Sequence, residues 1–360
     1  MIRPMTILQV ISQRHLSGAE RVCLMLSESL QQRGHRVVLI CKKDAVMFAE
    51  ASQRGIEIRT PGVSGKFNPL VALGILRIAR EVHADVIHTH LSTASQWGGA
   101  AGRLGGIPVV AHVHAMNSRY FFLLADAMVA CSEGVRQHII RQGVSPERIR
   151  TIYNGIESKR LVISQDISEI RASLSITGNT PTIACIAHLA DKKGQADLIR
   201  AVALLKDTWP DLVCFFIGSG ENMDNLRCQA EELGVARRAV LLGYRSDAVT
   251  IMNAMDIIIL PSLGKEGLPL VLLEAALLGK PVICSNIPGN NEVVVDGATG
   301  LLFPPGNAAA LAEQIDKLLS DKECSARMAQ SAKDRAQNEF TIEAMTDRVE
   351  GLYHELSGLA

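Results

Sequence analysis

Two carboxylates eight residues apart, Glu266 and Glu274, flank Gly267, Leu268 and Pro269 in the run Leu260–Ala275. An apolar segment ends at Leu260, and proline at 269 suits the first turn of a helix. A helix start offers free N–H groups and the positive end of a dipole, which together suit a phosphate. A carboxylate accepts from sugar hydroxyls, as the acidic residue of a dinucleotide fold does on ribose. Phosphate donors with a carboxylate on either side therefore make a nucleotide-sugar cradle. Spacing alone would also allow a capped surface helix carrying two acidic residues.

The other reactive residues are histidines. His88-Thr89-His90 and His112-Val113-His114 both end apolar runs that read as strands. Alternate residues of a strand share a face. Two such pairs could make a zinc site, but no acidic or cysteine ligand pattern stands nearby, so residues structuring a sheet edge are the preferred reading. The eight cysteines contain no CxxC pair. Most sit in apolar runs and read as small buried hydrophobes of a reducing compartment.

Elements that would position these residues follow from the periodicity. Thr6–Ile11 is a buried strand, Gly18–Arg33 an amphipathic helix ended by Gly34, and Arg36–Cys41 the next strand. Val86–Thr89, Pro108–His112, Ala127–Cys131 and Ile149–Ile152 continue the series. A polar, turn-rich stretch, Gln165–Thr180, reads as a linker. The pattern restarts with strands Thr182–Ala187, Leu212–Ile217, Ala239–Leu242, Ile257–Leu260 and Pro281–Cys284, each separated by helical sequence, and ends with a helix over Thr341–Leu356. Strand–helix alternation predicts parallel, doubly wound α/β sheets. The expected organisation is a Rossmann-like domain at 1–168, a second at 169–340, and a last helix within 341–360. Ligands of such sheets bind at the carboxyl ends of the strands, so the cleft between two such edges is the expected site.

Composition narrows the function classes. A length of 360 residues suits two domains, and 48% hydrophobic with 21% charged residues is a globular balance. Net charge is zero, which argues against a nucleic-acid partner held by bulk charge. No apolar run reaches the ~18 residues needed to span a bilayer. The start of the chain does not read as a signal segment, so a cytoplasmic location is expected. Residues 1–168 hold 20 Lys+Arg against 12 Asp+Glu, and the remainder 17 against 25. A basic first half could face an anionic substrate or the anionic inner face of a membrane. Arg14, His15, Arg21 and Arg119 are its candidate acceptor contacts. Asn117–Leu124 joins a basic residue to apolar ones; it reads as a helix packed on the sheet, with a membrane interface as the alternative.

Glu266 and Glu274 in their EGLP context resemble the signature of retaining glycosyltransferases of family GT4, which have the GT-B fold. The likeness spans almost the whole chain. It includes Asp85–His90, Asn154-Gly155-Ile156, Gly218–Glu221, Leu242–Asp247 and Glu292–Gly306. The resemblance implies two Rossmann-like domains facing a cleft, with the final helix packing back on the first. It implies a nucleotide-sugar donor, UDP-linked before GDP-linked, and a glycan or glycolipid acceptor, as in lipopolysaccharide or polysaccharide synthesis. No cofactor or catalytic metal is implied.

Residue roles carry over position by position. Glu266 would contact the donor sugar, Gly267 and Leu268 would offer backbone N–H groups, and Glu274 would hold the ribose. Lys193 matches the phosphate-binding lysine, where a cation stabilises charge on the leaving diphosphate. Tyr244 and Arg245 would lie along the nucleobase, and Gly18 beside the diphosphate. His114 matches a histidine near the donor sugar and acceptor hydroxyl. One position departs: His188 stands where the family usually has arginine, a weak substitute for a guanidinium fork unless protonated or helped by Lys192. Three rivals follow. A nucleotide-sugar epimerase would need no acceptor. A silent nucleotide-sugar-binding protein would bind without turnover. A dehydrogenase would need the GxGxxG that is missing after the first strand.

Overall fold

The computed structural model describes residues 3–12, 17–43, 46–62, 65, 68–161, 163 and 165–358. The chain forms two units, Met1–Glu157 with Glu339–Ala360, and Ser158–Asn338. The first break falls before the polar stretch expected to be a linker, and that stretch is not one. Ile167–Ser173 is helical, its start capped by the Asp166 carboxylate, which accepts from the Ser168 N–H at 2.8 Å. Arg171 then ties this helix to the second unit, donating to the carbonyls of Ala254 and Thr180.

Among the described residues the first unit holds seven strands: β1 (Thr6–Ile11), β2 (Arg36–Ile40), β3 (Glu57–Arg59), β4 (Val86–His90), β5 (Val109–Val113), β6 (Ala127–Ala130) and β7 (Ile149–Thr151). Their order is β3-β2-β1-β4-β5-β6-β7, and every pairing is parallel. The central strands β1, β4 and β5 are almost wholly buried, as expected of a sheet covered on both faces. Register places Gln9 beside His88 and His90 beside His112. Period two puts Gln9, His88, His90 and His112 on one face.

Helix Gly18–Gln32 follows β1, and the Ser17 N–H at its start donates to the Glu20 carboxylate at 2.9 Å. Helix Ile342–Ser357 lies against it, started by Thr341, whose hydroxyl accepts from the Ala344 N–H. The two are joined by polar contacts. Glu350 accepts from Arg33 at 2.8 Å and meets His35 at 2.7 Å, Arg33 also reaches Asp347 at 2.6 Å, and Thr346 donates to Ser29. Burial would raise the Glu350 carboxyl, but His35 and Arg33 outweigh it and hold the group below its ordinary range. Asn117–Leu124 is not a helix. Only a single 3-10 turn forms, Arg119–Phe121, anchored by fully buried Phe122.

Among the described residues the second unit holds six strands: β8 (Thr182–Ile186), β9 (Val213–Ile217), β10 (Ala239–Gly243), β11 (Ile257–Leu260), β12 (Val282–Ser285) and β13 (Leu301–Phe303). The order is β10-β9-β8-β11-β12-β13, again parallel throughout. Ile183, Cys185, Phe216, Ile259, Ile283 and Phe303 form its core with helices Gln195–Leu204 and Ala308–Ser320. Among the described residues no helix is long and apolar enough to cross a membrane.

Candidate active site

In the second unit the candidate residues gather on loops that leave the carboxyl ends of the strands. The loop after β8 ends in a 3-10 turn, Asp191–Lys193, and Gly194 then opens helix Gln195–Leu204. Gly194 has φ +68°, and a Cβ there would stand 2.0 Å from the carbonyl oxygen of Pro261 on the loop after β11. Only glycine permits that approach. Gly289, on the loop after β12, is the same case, with φ +87° and the Gly267 carbonyl 2.3 Å from where its Cβ would be. Backbone contacts thus fix three loops against one another.

The residues so fixed carry opposite charges. Lys193 Nζ lies 2.5 Å from Glu266 Oε1, and the Ser262 hydroxyl donates to the same oxygen at 2.6 Å. The two charged side chains are 19% and 12% exposed, which places the pair at a protected rim. Ser262 is itself held through its carbonyl, which accepts from Ser285, and Asn290 donates to Ser285. Gly267 and Leu268 are buried beside the pair, and half-buried Glu274 lies within helix Leu270–Leu277. Lys265, next to Glu266, has a left-handed φ of 61°, a conformation that costs a non-glycine residue energy and concentrates at functional loops.

The remaining donor-site candidates divide. His188 meets Glu221 at 3.0 Å, both side chains being largely exposed, and Lys192 is exposed on the turn beside it. Tyr244 is 70% exposed. Arg245 is already engaged: its guanidinium forks Asp247 at 2.8 and 2.6 Å, and that bond raises the arginine and lowers the aspartate from their ordinary values.

The first unit presents a different edge. His114 follows β5 directly, and its Nε2 is 2.9 Å from Nδ1 of His90, whose Nε2 is 2.8 Å from Gln9 Oε1. Desolvation pushes His114 down to about 3, and desolvation with mutual repulsion holds His88, His90 and His112 well below the ordinary imidazole value. All four are therefore neutral near pH 7. His88 bonds the Tyr353 hydroxyl through Nδ1.

Ligand atoms of His88, His90 and His112 lie within 4.8 Å of one another, so the histidines expected apart from any metal site do stand together. Their rings are stacked, with centroids 4.6–5.4 Å apart and planes 4–26° from parallel. Imidazole lone pairs lie in the ring plane, and near-parallel planes do not aim three of them at one centre.

Gly18 is exposed at the start of helix Gly18–Gln32. Arg119 is held locally. Its guanidinium donates to the Gln142 carbonyl at the end of helix Glu133–Arg141, and its N–H donates to the Gln142 side chain at 2.8 Å. Arg14 and His15 lie outside the described residues. Sequence reasoning overlooked Ser262 and Gln9, and gave Glu221, although part of the Gly218–Glu221 motif, no role. Gln9 left a signal, being the only strongly polar residue in the apolar run Thr6–Ile11.

Comparison with known proteins shows the family. Residues 166–335 match the model of glycosyl transferases group 1, and residues 16–160 that of glycosyltransferase family 4. The chain is similar to an Escherichia coli UDP-Gal:alpha-D-GlcNAc-diphosphoundecaprenol alpha-1,3-galactosyltransferase, with 26% identity over 95% of this chain and 94% of that one. It is 30% identical to a D-inositol 3-phosphate glycosyltransferase of Corynebacterium aurimucosum, over 78% and 74% of the two chains. Among solved structures, Anabaena HepE in complex with UDP-glucose superposes with a TM-score of 0.88 at 26% identity, covering 98% of this chain and all of that one. Two parallel, Rossmann-like α/β units with this site define a GT-B glycosyltransferase. The chain belongs to glycosyltransferase family 4.

Proposed function

We propose that the protein transfers a sugar from a UDP-sugar to a hydroxyl of a lipid-linked glycan in cell-envelope polysaccharide or lipopolysaccharide synthesis, with retention at the anomeric carbon. The observation that carries the reading is the Lys193–Glu266 pair on backbone-locked loops. It sets a cation for a diphosphate beside a carboxylate for sugar hydroxyls. Two similarities support the choice of donor and acceptor. Anabaena HepE was solved with UDP-glucose, and the Escherichia coli relative is named for a UDP-sugar donor and a diphosphoundecaprenol-linked acceptor. A Rhizobium meliloti relative is named for lipopolysaccharide core biosynthesis.

In this mechanism the acceptor oxygen bonds the anomeric carbon on the face that the diphosphate leaves. The C–O bond to phosphate breaks, and the acceptor proton passes to the departing phosphate oxygen. Lys193 stabilises the charge gathering on that leaving group, and the positive end of the helix that begins after Gly267 and Leu268 assists. Glu266 accepts from the sugar hydroxyls and Glu274 from the ribose. Tyr244 covers the base, and Gly18 leaves room for the diphosphate. His188, with Lys192, takes the place of the usual arginine. His114 bonds the sugar. No catalytic metal is required, and acceptor recognition falls to the first domain at the inner face of the membrane.

The test is a thermal-shift panel of nucleotides and nucleotide sugars, with and without chelator, followed by NMR of the product's anomeric configuration. A saturating donor at about a hundred to a thousand times Kd should stabilise by about 3–4 kcal/mol. A shift with UDP-sugars that chelator leaves intact and Glu274→Ala abolishes supports the reading. No shift with any nucleotide, or an inverted product, overturns it.

A further inference from the structure

His114 sits at the end of a hydrogen-bonded line that begins two strands away. Gln9, on β1, faces His90, on β4, and His90 faces His114, just past β5. All the groups are uncharged, so each ring carries one proton and has one nitrogen that donates and one that accepts.

The direction of the line follows from its first member. The Gln9 atom 2.8 Å from His90 Nε2 is Oε1, and an amide oxygen only accepts. His90 therefore holds its proton on Nε2, which leaves Nδ1 as a lone pair. That lone pair faces His114 Nε2 at 2.9 Å, so His114 donates from Nε2. Its own Nδ1 is left as a bare lone pair and has no partner among the described residues.

We propose that Gln9 and His90 are positioning residues that fix the His114 tautomer, so that His114 presents an acceptor, never a donor, at the carboxyl edge of the first sheet. An Nδ1 lone pair selects a ligand hydroxyl and rejects an ether or carbonyl oxygen at the same place. Reversing the Gln9 amide would reverse both links and turn His114 into a donor. One buried amide thereby sets the polarity of a ring it does not touch. The consequence for transfer rests on His114 lying beside the sugar, as proposed above; the tautomer does not.

The experiment is a long-range 1H–15N spectrum of 15N-histidine-labelled full-length protein, which reports separately on the protonation of each ring nitrogen. His114, assigned by loss of its signals in His114→Phe, should show a protonated Nε2 and a bare Nδ1. Gln9→Leu, which removes the acceptor, should give mixed tautomers at His114. Gln9→Glu, whose carboxylate still only accepts, should restore the single form. With a turning-over donor, Gln9→Leu should lower kcat by roughly ten- to hundred-fold with donor KM unmoved, and Gln9→Glu should recover much of it.

A protonated Nδ1 on His114 in the unsubstituted protein overturns the proposal whatever the variants' stability. An unchanged His114 spectrum in Gln9→Leu also overturns it. So does stoichiometric zinc uptake that erases the His90–His114 link, since the stack would then be a metal site. A correct tautomer with no transfer activity would instead count against the proposed function alone.

Discussion

The two sheets finish in chemically opposite edges. The second unit's edge is charged, with Lys193 and Glu266 paired at 2.5 Å and His188 facing Glu221. The first unit's edge is polar but neutral, four stacked imidazoles with an amide and a phenol. Both are built on the same parallel architecture, so the fold does not dictate the difference. Charge suits the side proposed to hold a diphosphate. Neutral, directional hydrogen bonds suit the side proposed to orient hydroxyls without attracting anions. Burial enforces the second choice, because a protonated imidazole among three others in a dry sheet would be both desolvated and repelled.

The comparison breaks first at Lys193. Lys193→Ala should reduce kcat/KM by roughly a hundred- to thousand-fold, as loss of a group that stabilises leaving-group charge does. A fall of less than ten-fold in steady-state assays would place the essential charge elsewhere, with Lys192 the first suspect.

Next is the helix that completes the first unit. Glu350→Ala leaves Arg33 and buried His35 without their shared acceptor. It should destabilise by about 3 kcal/mol, read as a lower midpoint in urea. Loss confined to the first unit is the expected pattern. The two tryptophans report it separately, Trp97 lying in the first unit and Trp209 in the second.

Acid should divide the units further. The folded-state values of His88, His90 and His112 are depressed, so below about pH 6.5 the unfolded chain binds protons that the folded one refuses. Stability of the first unit should then fall as pH drops from about 6.5, by up to roughly 1.4 kcal/mol per pH unit for each histidine. Glu350 adds loss only lower down, as pH falls through its lowered carboxyl value. Trp97 fluorescence should therefore report unfolding at a higher pH than Trp209. Coincident acid transitions would mean that the histidines are not held neutral.

The smallest effect belongs to Tyr244. Removing its ring should cost about 1 kcal/mol of stacking, raising donor KM roughly five-fold with kcat unchanged.

Much of this was legible in advance. The parallel α/β class, the limits of β1 and the start of helix Ile342–Ser357 follow from apolar runs and a capping threonine. Elements without such patterns escaped. β3, Glu57–Arg59, is a three-residue edge strand with one apolar residue. Helix Leu70–Glu81 is obscured by the apolar run Leu70–Leu76, interrupted only by Gly74, which packs against Pro61. Helix Lys322–Glu339 buries mostly alanines and so shows no strong stripe. At the site, motif residues stood out because spacing and type coincide. Ser262 did not, since a single serine gains meaning only from what folding places 2.6 Å away, and Glu221, though inside a motif, shows its partner His188 only once folding sets it 3.0 Å away. The local tie of Arg119 escaped for the same reason: a basic loop residue looks available until the carbonyl it bonds is known.

The first unit is discontinuous, closed by residues 339–360 after the whole second unit has intervened. During synthesis, residues 158–338 emerge as one uninterrupted stretch able to collapse on its own. The earlier segment must wait, its histidine face uncapped, until Tyr353 leaves the ribosome. Vectorial translation thus delivers the second unit's residues as one contiguous stretch and supplies the helix that closes the first unit's neutral edge last.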